Sequence, residues 1–318
     1  MSPKVNLGLV GAGVWGRNYI KTIEQIEGVV LKKIVCKNPQ KKSPLFPKYE
    51  VTNDWLELTK SNIIDGVIIA SPPSTHFDIA LEFIKNKKSV IIEKPLTIKA
   101  KDAEFLTNLA IKNKVNVKVN HVYLYHPMYR FLKEIIDDKT KINSIYSYSG
   151  NYGPFREDIS PLWDWGPHDI AMCLDFFGDI PRVIEAKITK GISGHENKKF
   201  NVCVHLTFEN NRFAELNFGN IMTRKERLFK LNFTNFSYIF DPVKYKHIKK
   251  ENICNSKKLS KKIIPKNMNL EQTPLEILIK EFVEDIKNSR FEIKELRLAK
   301  DVIILLEKIE REIKQNFL

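Results

Sequence analysis

VNLGLVGAGVWGRNYIKTIEQI, residues 5–26, reads as three pieces in a fixed order. Val5 to Val10 is an apolar run with the length of a buried strand. Gly11-Ala12-Gly13-Val14-Trp15-Gly16 is a G-x-G-x-x-G turn, and Arg17 to Ile26 carries Ile20, Ile23 and Ile26 at helical spacing. In this setting Gly11 permits the tight turn, Gly13 lets the backbone approach a pyrophosphate, and Gly16 lets helix and strand pack closely. The unpaired N–H groups at the start of the helix favour phosphate. The glycine pattern alone is weak evidence. The order strand, glycine turn, helix makes it an expected dinucleotide site, at Gly11, Gly13, Val14, Trp15 and Gly16.

The pattern continues outward from this unit. A second strand, Val29 to Val35, ends in Cys36-Lys37-Asn38-Pro39. That strand end normally carries the acid that meets the adenosine ribose of NAD. Here Lys37 stands in its place, which suits a 2′-phosphate and leans the expectation towards NADP. The alternative is that Lys37 points to solvent and Asn38 meets the ribose hydroxyls. Val51 lies near a short third strand, and Trp55 to Leu58 begins a helix. Asp65 to Ala70 reads as a fourth strand, followed by Ser71-Pro72-Pro73-Ser74-Thr75-His76, where Ser74 or Thr75 can cap the next helix. SVIIEKP, residues 89–95, is a buried strand that stops abruptly in Glu93, Lys94 and Pro95. Pro95 keeps Lys94 out of helical geometry, so its ammonium is aimed. A helix at about Lys99 to Lys112 leads to a last strand, Val115 to Val119, which ends in Asn120-His121. Alternating strands and helices imply a doubly wound parallel sheet. Its strand ends should gather residues 11–16, 71–76, 93–95 and 120–121 along one crevice.

The alternation stops after His126-Pro127. Met128 to Ile136 reads as a helix. Strand-like stretches follow at Ile142 to Tyr152, Val183 to Ile192, Asn201 to Phe208, Arg212 to Phe218 and Leu228 to Phe240. Their apolar–polar alternation suits a mostly antiparallel open sheet with one covered face. Glu209-Asn210-Asn211 is a turn signal between two of them. Lys244 to Lys266 reads as an exposed loop with a short strand. Thr273 caps a helix that starts at Pro274, and a closing helix carries Leu298, Val302, Leu305, Leu306, Ile309 and Ile313. The expected division is residues 1–122 as a Rossmann domain and 123–318 as an α+β substrate domain, with the closing helix able to pack back on the first. Between the strands lies WDWGPHDI, residues 163–170. If Pro167 is near a helix start, Asp164 lies just before it and His168 one turn inside, so both can reach one ligand. Equally, Asp164 can be a helix cap and His168 a packed core histidine.

Composition narrows the classes of function. Of 318 residues, 43% are hydrophobic and 28% charged, as in soluble globular proteins. The net charge is 52 − 38 = +14, but lysines interleave with acids and form no basic stripe, so a nucleic-acid partner is not expected. No apolar run reaches the ~18 residues of a membrane span. Cys36, Cys173, Cys203 and Cys254 show no metal or redox spacing, which suits reduced thiols in a cytoplasmic protein with no metal.

GLVGAGVWG, IIASPPSTHFDIA, VIIEKPL and DWGPHDI, in this order, resemble the Gfo/Idh/MocA oxidoreductases, a family that includes glucose–fructose oxidoreductase, inositol dehydrogenases and nucleotide-sugar dehydrogenases. The resemblance covers essentially the whole chain. It implies an NAD(P)-dependent enzyme that moves a hydride between a secondary alcohol of a sugar, or of a nucleotide-sugar of the UDP-N-acetylhexosamine kind, and nicotinamide. It implies Lys94 as catalytic lysine, completed by Asp164 and His168. Glu93 and Pro95 would shape the nicotinamide pocket, with Ser71, Pro72, His76 and Asn120 beside it, and the Lys94–Pro95 peptide would be cis. The open sheet would serve a homodimer or homotetramer. Lys37 departs from the acid found in many members. Two alternatives stay open: a ketosugar reductase running the reverse reaction, and a non-catalytic NAD(P)-binding regulator of the same fold.

Overall fold

A computed structural model describes residues 4–192, 198–252, 260–265 and 269–315. The chain forms two compact units, one from Met1–Val122 with Thr273–Ile303 and one from Tyr123–Gln272 with Ile304–Leu318. The sequence suggests a single cut after residue 122. The structure adds a second crossing, where the chain returns to the first unit at Thr273.

In the first unit β1 (Val5–Val10), α1 (Val14–Ile23), β2 (Val29–Val35), α2 (Pro39–Lys42), β3 (Glu50–Thr52) and α3 (Leu56–Lys60) come first. β4 (Gly66–Ile69), α4 (His76–Lys85), β5 (Ser89–Glu93), α5 (Ala100–Asn113) and β6 (Val117–Asn120) complete the alternation. The strands form one parallel sheet in the order β3-β2-β1-β4-β5-β6, the doubly wound arrangement. Val67, Ile68, Ile69, Ile91 and Ile92 are buried, as strands covered on both faces require. Thr75 lies at the start of α4 without capping it. Its hydroxyl donates instead to the Pro72 carbonyl at 2.8 Å, so the sequence-predicted cap gives way to a loop contact.

The second unit contains α6 (Pro127–Glu134), β7 (Ser144–Tyr152), α7 (Pro161–Phe177), β8 (Val183–Gly191), β9 (Phe200–Thr207), β10 (Phe213–Gly219), β11 (Ile221–Asn232), β12 (Phe236–Phe240), β13 (Ile248–Asn252) and β14 (Ser260–Ile263). Its eight strands run β14-β13-β12-β11-β7-β10-β9-β8, and every neighbouring pair is antiparallel except β7 with β10. The stretch expected as one strand, Leu228 to Phe240, is a hairpin. The Phe233 N–H donates to the Phe236 carbonyl at 2.8 Å, and two strands flank that turn. The lysine-rich stretch from Lys244 holds two paired strands rather than one, with 253–259 and Lys266 outside the described residues. Asn210 and Asn211, both at φ +57, make the expected turn between β9 and β10. Asparagine tolerates this left-handed region better than most residues.

Two more helices, α8 (Pro274–Lys287) and α9 (Lys294–Gln315), close the chain. The Thr273 hydroxyl caps α8 by accepting from the Glu276 N–H at 3.2 Å, as the sequence indicates. In the first unit α8 sets Phe282 and Ile286 against Gly66, where an added Cβ would lie 2.9 Å from Ile286. A buried ion cluster fastens this return segment to β6. Lys118 Nζ lies 3.1 Å from Asp285 and 3.2 Å from Glu295, and Asn116 donates to Asp285 at 3.0 Å. Asp285→Ala leaves the buried ammonium with one partner fewer and a buried amide with none. It should destabilise the protein by about 2 kcal/mol, whereas Lys118→Met should cost less because the two carboxylates lie nearer solvent. Thermal unfolding of the two variants side by side measures the difference.

Candidate active site

The expected dinucleotide turn takes the geometry its glycines allow. Gly11 has φ +105, and a Cβ there would lie 2.4 Å from the Ala70 carbonyl oxygen. A Cβ at Gly16 would lie 1.9 Å from the Gly11 carbonyl oxygen, so strand and helix meet without room for a side chain. Around Gly13 nothing lies within 4 Å of an added Cβ, which leaves an approach open to a ligand. Gly13 precedes α1 without a side-chain cap, and no acid occupies the helix's first turn, so the N–H groups there suit an anion. Val14 and Lys37 are exposed, Lys37 at the end of β2 beside the exposed Asn38. These features fit a bound dinucleotide.

The ends of β4, β5 and β6 hold the remaining candidates in this unit. Ser71 Oγ and Thr75 Oγ1 are 2.7 Å apart. The fully buried His76 ring bridges two loops, with Nδ1 2.8 Å from the Pro95 carbonyl and Nε2 3.0 Å from the Ser71 carbonyl. Its position is that of a brace between the β4 and β5 ends. Glu93 is also locked in place. Its Oε1 accepts from the Tyr19 hydroxyl at 2.8 Å and from Asn120 Nδ2 at 2.6 Å. Burial pushes the Glu93 carboxyl above the ordinary carboxylate range, against the pull of Asn120, Tyr19 and the Lys94 charge. Lys94 follows at the strand end, only 9% exposed, and its peptide bond to Pro95 is cis. Across the ladder, Glu93 pairs with Asn120, which sets His121 opposite Lys94. His121 is 3% exposed, and burial together with the Lys94 charge lowers its pKa to about 3, so the imidazole is neutral at physiological pH.

Sequence reasoning placed residues 120–121 in the crevice but gave His121 no role and missed Tyr19. Tyr19 carries no local signal, because a tyrosine in an apolar helix face is ordinary core until its hydroxyl partner is known.

In the second unit, α7 carries the other pair. The sequence suggests a helix start near Pro167. The structure starts it at Pro161, with Ser160 before it, and keeps Pro167 inside. Pro at the first helical position is preorganised, and the interior Pro167 removes one N–H that the Trp163 carbonyl would otherwise accept. Asp164 and His168 both lie within the helix, four positions apart and so on neighbouring places of one face. The Asp164 carboxylate accepts from Arg156 Nη1 at 3.3 Å. The His168 ring is buried and meets the Tyr123 ring edge-on, with centroids 5.2 Å apart.

The neighbouring Asp169 anchors this turn. It is fully buried, accepts from the Ser147 and Ser149 hydroxyls of β7, the latter at 2.5 Å, and faces Arg227 Nη1 of β11 at 3.4 Å. Burial raises its pKa, with Arg227 and the serines pulling the other way. The Arg227 guanidinium lies over the Tyr123 ring at 4.4 Å and the Trp165 ring at 5.1 Å. None of Ser147, Ser149, Arg227 or Tyr123 stood out in the sequence. Among the described residues no group of His, Cys, Asp and Glu is arranged to hold a metal ion, and no helix is long and apolar enough to cross a membrane.

Comparison with known proteins places the glycine turn and the strand ends in one family. Residues 5–121 match the Gfo/Idh/MocA model, described as an oxidoreductase family with an NAD-binding Rossmann fold. A scyllo-inositol 2-dehydrogenase (NADP+) of Bacillus subtilis is 23% identical over 228 residues, 68% of this chain and 62% of that protein. The match thus spans less than two thirds of that relative's length. An oxidoreductase of known structure from Magnetospirillum magnetotacticum MS-1 is 28% identical, with a TM-score of 0.85 over 96% of this chain and 99% of that one. A UDP-N-acetylglucosamine 3-dehydrogenase from Acidithiobacillus ferrooxidans shares the fold at a TM-score of 0.85 and 17% identity, over 98% of each chain. With its Rossmann half matched residue for residue through Asn120 and His121, the chain belongs to the Gfo/Idh/MocA oxidoreductase family.

Proposed function

We propose that the protein is an NAD(P)-dependent dehydrogenase acting on a secondary alcohol of a sugar or nucleotide-sugar. The observation that carries this reading is Lys94, a buried ammonium at the carboxyl end of β5, in a sheet whose first turn is built for a dinucleotide. When bound, the nicotinamide supplies the hydride acceptor or donor. The protein's part is to manage the hydroxyl proton and the charge left on oxygen. In this reading His168 takes the proton, since imidazole exchanges protons near neutral pH. Lys94 stabilises the developing alkoxide. Asp164, one helical turn before His168, orients the imidazole or holds a neighbouring hydroxyl. Asp169, pinned by two serines and an arginine, keeps that turn of α7 in place. The reverse reaction, reduction of a ketosugar, would use the same residues.

The inositol and UDP-N-acetylglucosamine dehydrogenases named above supply the first substrates to try, followed by other UDP-N-acetylhexosamines. The test is formation of reduced nicotinamide, followed by absorbance, when purified protein meets NAD+ or NADP+ and each polyol. Lys94→Met should keep the cofactor dissociation constant within about threefold while turnover falls at least ~100-fold, an interaction lost mainly in the transition state. Turnover surviving within about tenfold would overturn the role of Lys94. A protein that binds cofactor yet turns over no polyol in either direction would instead be the regulator.

We further propose a preference for NADP over NAD, because an exposed cation occupies the end of β2 where an acid would meet the ribose. The NADP(+)-dependent relative supports this reading. Lys37→Asp should shift the ratio of NADPH to NADH affinity towards NADH by about tenfold, from loss of one charge–phosphate contact. Fluorescence titration with both cofactors reads this, and an unchanged ratio would place Lys37 in solvent.

A further inference from the structure

The end of β6 contains three buried polar atoms with no protein partner among the described residues: Asn120 Oδ1, His121 Nδ1 and His121 Nε2. Buried polar side chains are nearly always hydrogen-bonded, so three together at one strand end call for a ligand or bound water. Their chemistry is already fixed. Asn120 commits its NH2 to the Glu93 carboxyl at 2.6 Å, which leaves its carbonyl oxygen as an acceptor. The His121 imidazole, beside the Lys94 charge, stays neutral and therefore offers one N–H donor and one acceptor nitrogen. The tight turn that follows, with the His121 N–H donating to the Val119 carbonyl at 2.7 Å, satisfies the backbone and leaves only side-chain atoms open.

Two acceptors and one donor complement a primary carboxamide, which offers two N–H donors and one carbonyl oxygen. Position agrees with chemistry. The glycine turn after β1 takes a pyrophosphate, and the ends of β2 and β3 lie to one side of it in the sheet. β4, β5 and β6 lie to the other side, where the second half of a dinucleotide extends.

Resting on the dinucleotide reading above, we infer that His121, with the Asn120 side-chain carbonyl, is a cofactor-contact residue that holds the carboxamide of the nicotinamide ring. In the absence of cofactor the pair stabilises nothing through those atoms. This gives His121 a signature that an ordinary core histidine lacks. His121→Phe keeps a ring of similar shape and removes both unpaired nitrogens, so the cofactor-free protein should melt at the same temperature or higher.

The experiment compares wild type, His121→Phe and His121→Gln, by melting temperature without cofactor and by titration with NADH, NADPH and ADP-ribose. ADP-ribose keeps the adenosine and pyrophosphate but lacks the nicotinamide ring. The expected result is NADH and NADPH affinity about tenfold weaker in His121→Phe, the loss of one or two hydrogen bonds. His121→Gln should recover most of it, and ADP-ribose affinity should be unchanged throughout. Equal affinity of wild type and His121→Phe for the reduced cofactors, within twofold, would overturn the assignment, as expected if only water fills the site. A parallel loss of ADP-ribose affinity, or a large drop in the melting temperature of both variants, would make His121 structural and also overturn it. Failure of wild type to bind any of the three would remove the dinucleotide reading itself, a different outcome from the loss of this contact alone.

Discussion

The carboxyl group of Glu93 joins three elements that would otherwise be free to shift. Tyr19 reaches it from α1 and Asn120 from β6, while Glu93 itself ends β5. The helix that carries the phosphate-binding turn and two strand ends are thereby fixed to one buried point. Removing this acid from water is costly, and burial drives its pKa upward, so the two donors are needed to hold it. The next residue, Lys94, inherits its position from this anchor. A side chain as flexible as lysine can be aimed only if the backbone beneath it does not move, and here the peptide on one side is pinned by Glu93 and on the other by the His76 bridge to the Pro95 carbonyl.

The second unit solves the same problem by similar means. Asp169 is a buried acid on α7 held by hydroxyls from β7 and a guanidinium from β11. It fixes the turn of helix that bears Asp164 and His168, and the close contact of Gly166 with Phe218 and Leu306 brings that turn near its neighbours. Arg227 would be an expensive charge to bury alone. One carboxylate and two aromatic faces surround it, and the Tyr123 ring that lies under it also meets His168 edge-on. In each unit a buried acid with several donors supports, one residue away, the side chain proposed to do the chemistry.

Electrostatics separates the two histidines at the strand end and in the helix. His121 sits beside Lys94 and is kept neutral by burial and by that positive charge. A neutral ring offers hydrogen bonds without competing for the proton of a reacting hydroxyl. His168, in contrast, has an aromatic edge as neighbour and acids on its own helix at Asp164 and Asp169. Proton transfer therefore falls more naturally to His168 than to His121.

The amino-acid sequence alone determined the parts that depend on local spacing. The strand–turn–helix at residues 5–26 follows from an apolar run and three glycines. The parallel sheet follows from alternation, and the Asp164–His168 spacing from the helical repeat. Local cues misplaced the start of α7 because Pro167 looks like a first-turn proline, and they merged β11 with β12 because no Gly or Pro marks the turn at Phe233. Only the tertiary structure decided which buried polar groups meet. Tyr19 and Glu93 are 74 positions apart, Asp169 and Arg227 58 apart, and nothing in either neighbourhood specifies the other. The return of Thr273–Ile303 to the first unit, fastened by Lys118, Asp285 and Glu295, belongs to the same class. A periodic pattern is written along the chain, whereas the partner of a buried charge is chosen by which distant segments the fold brings within hydrogen-bonding distance.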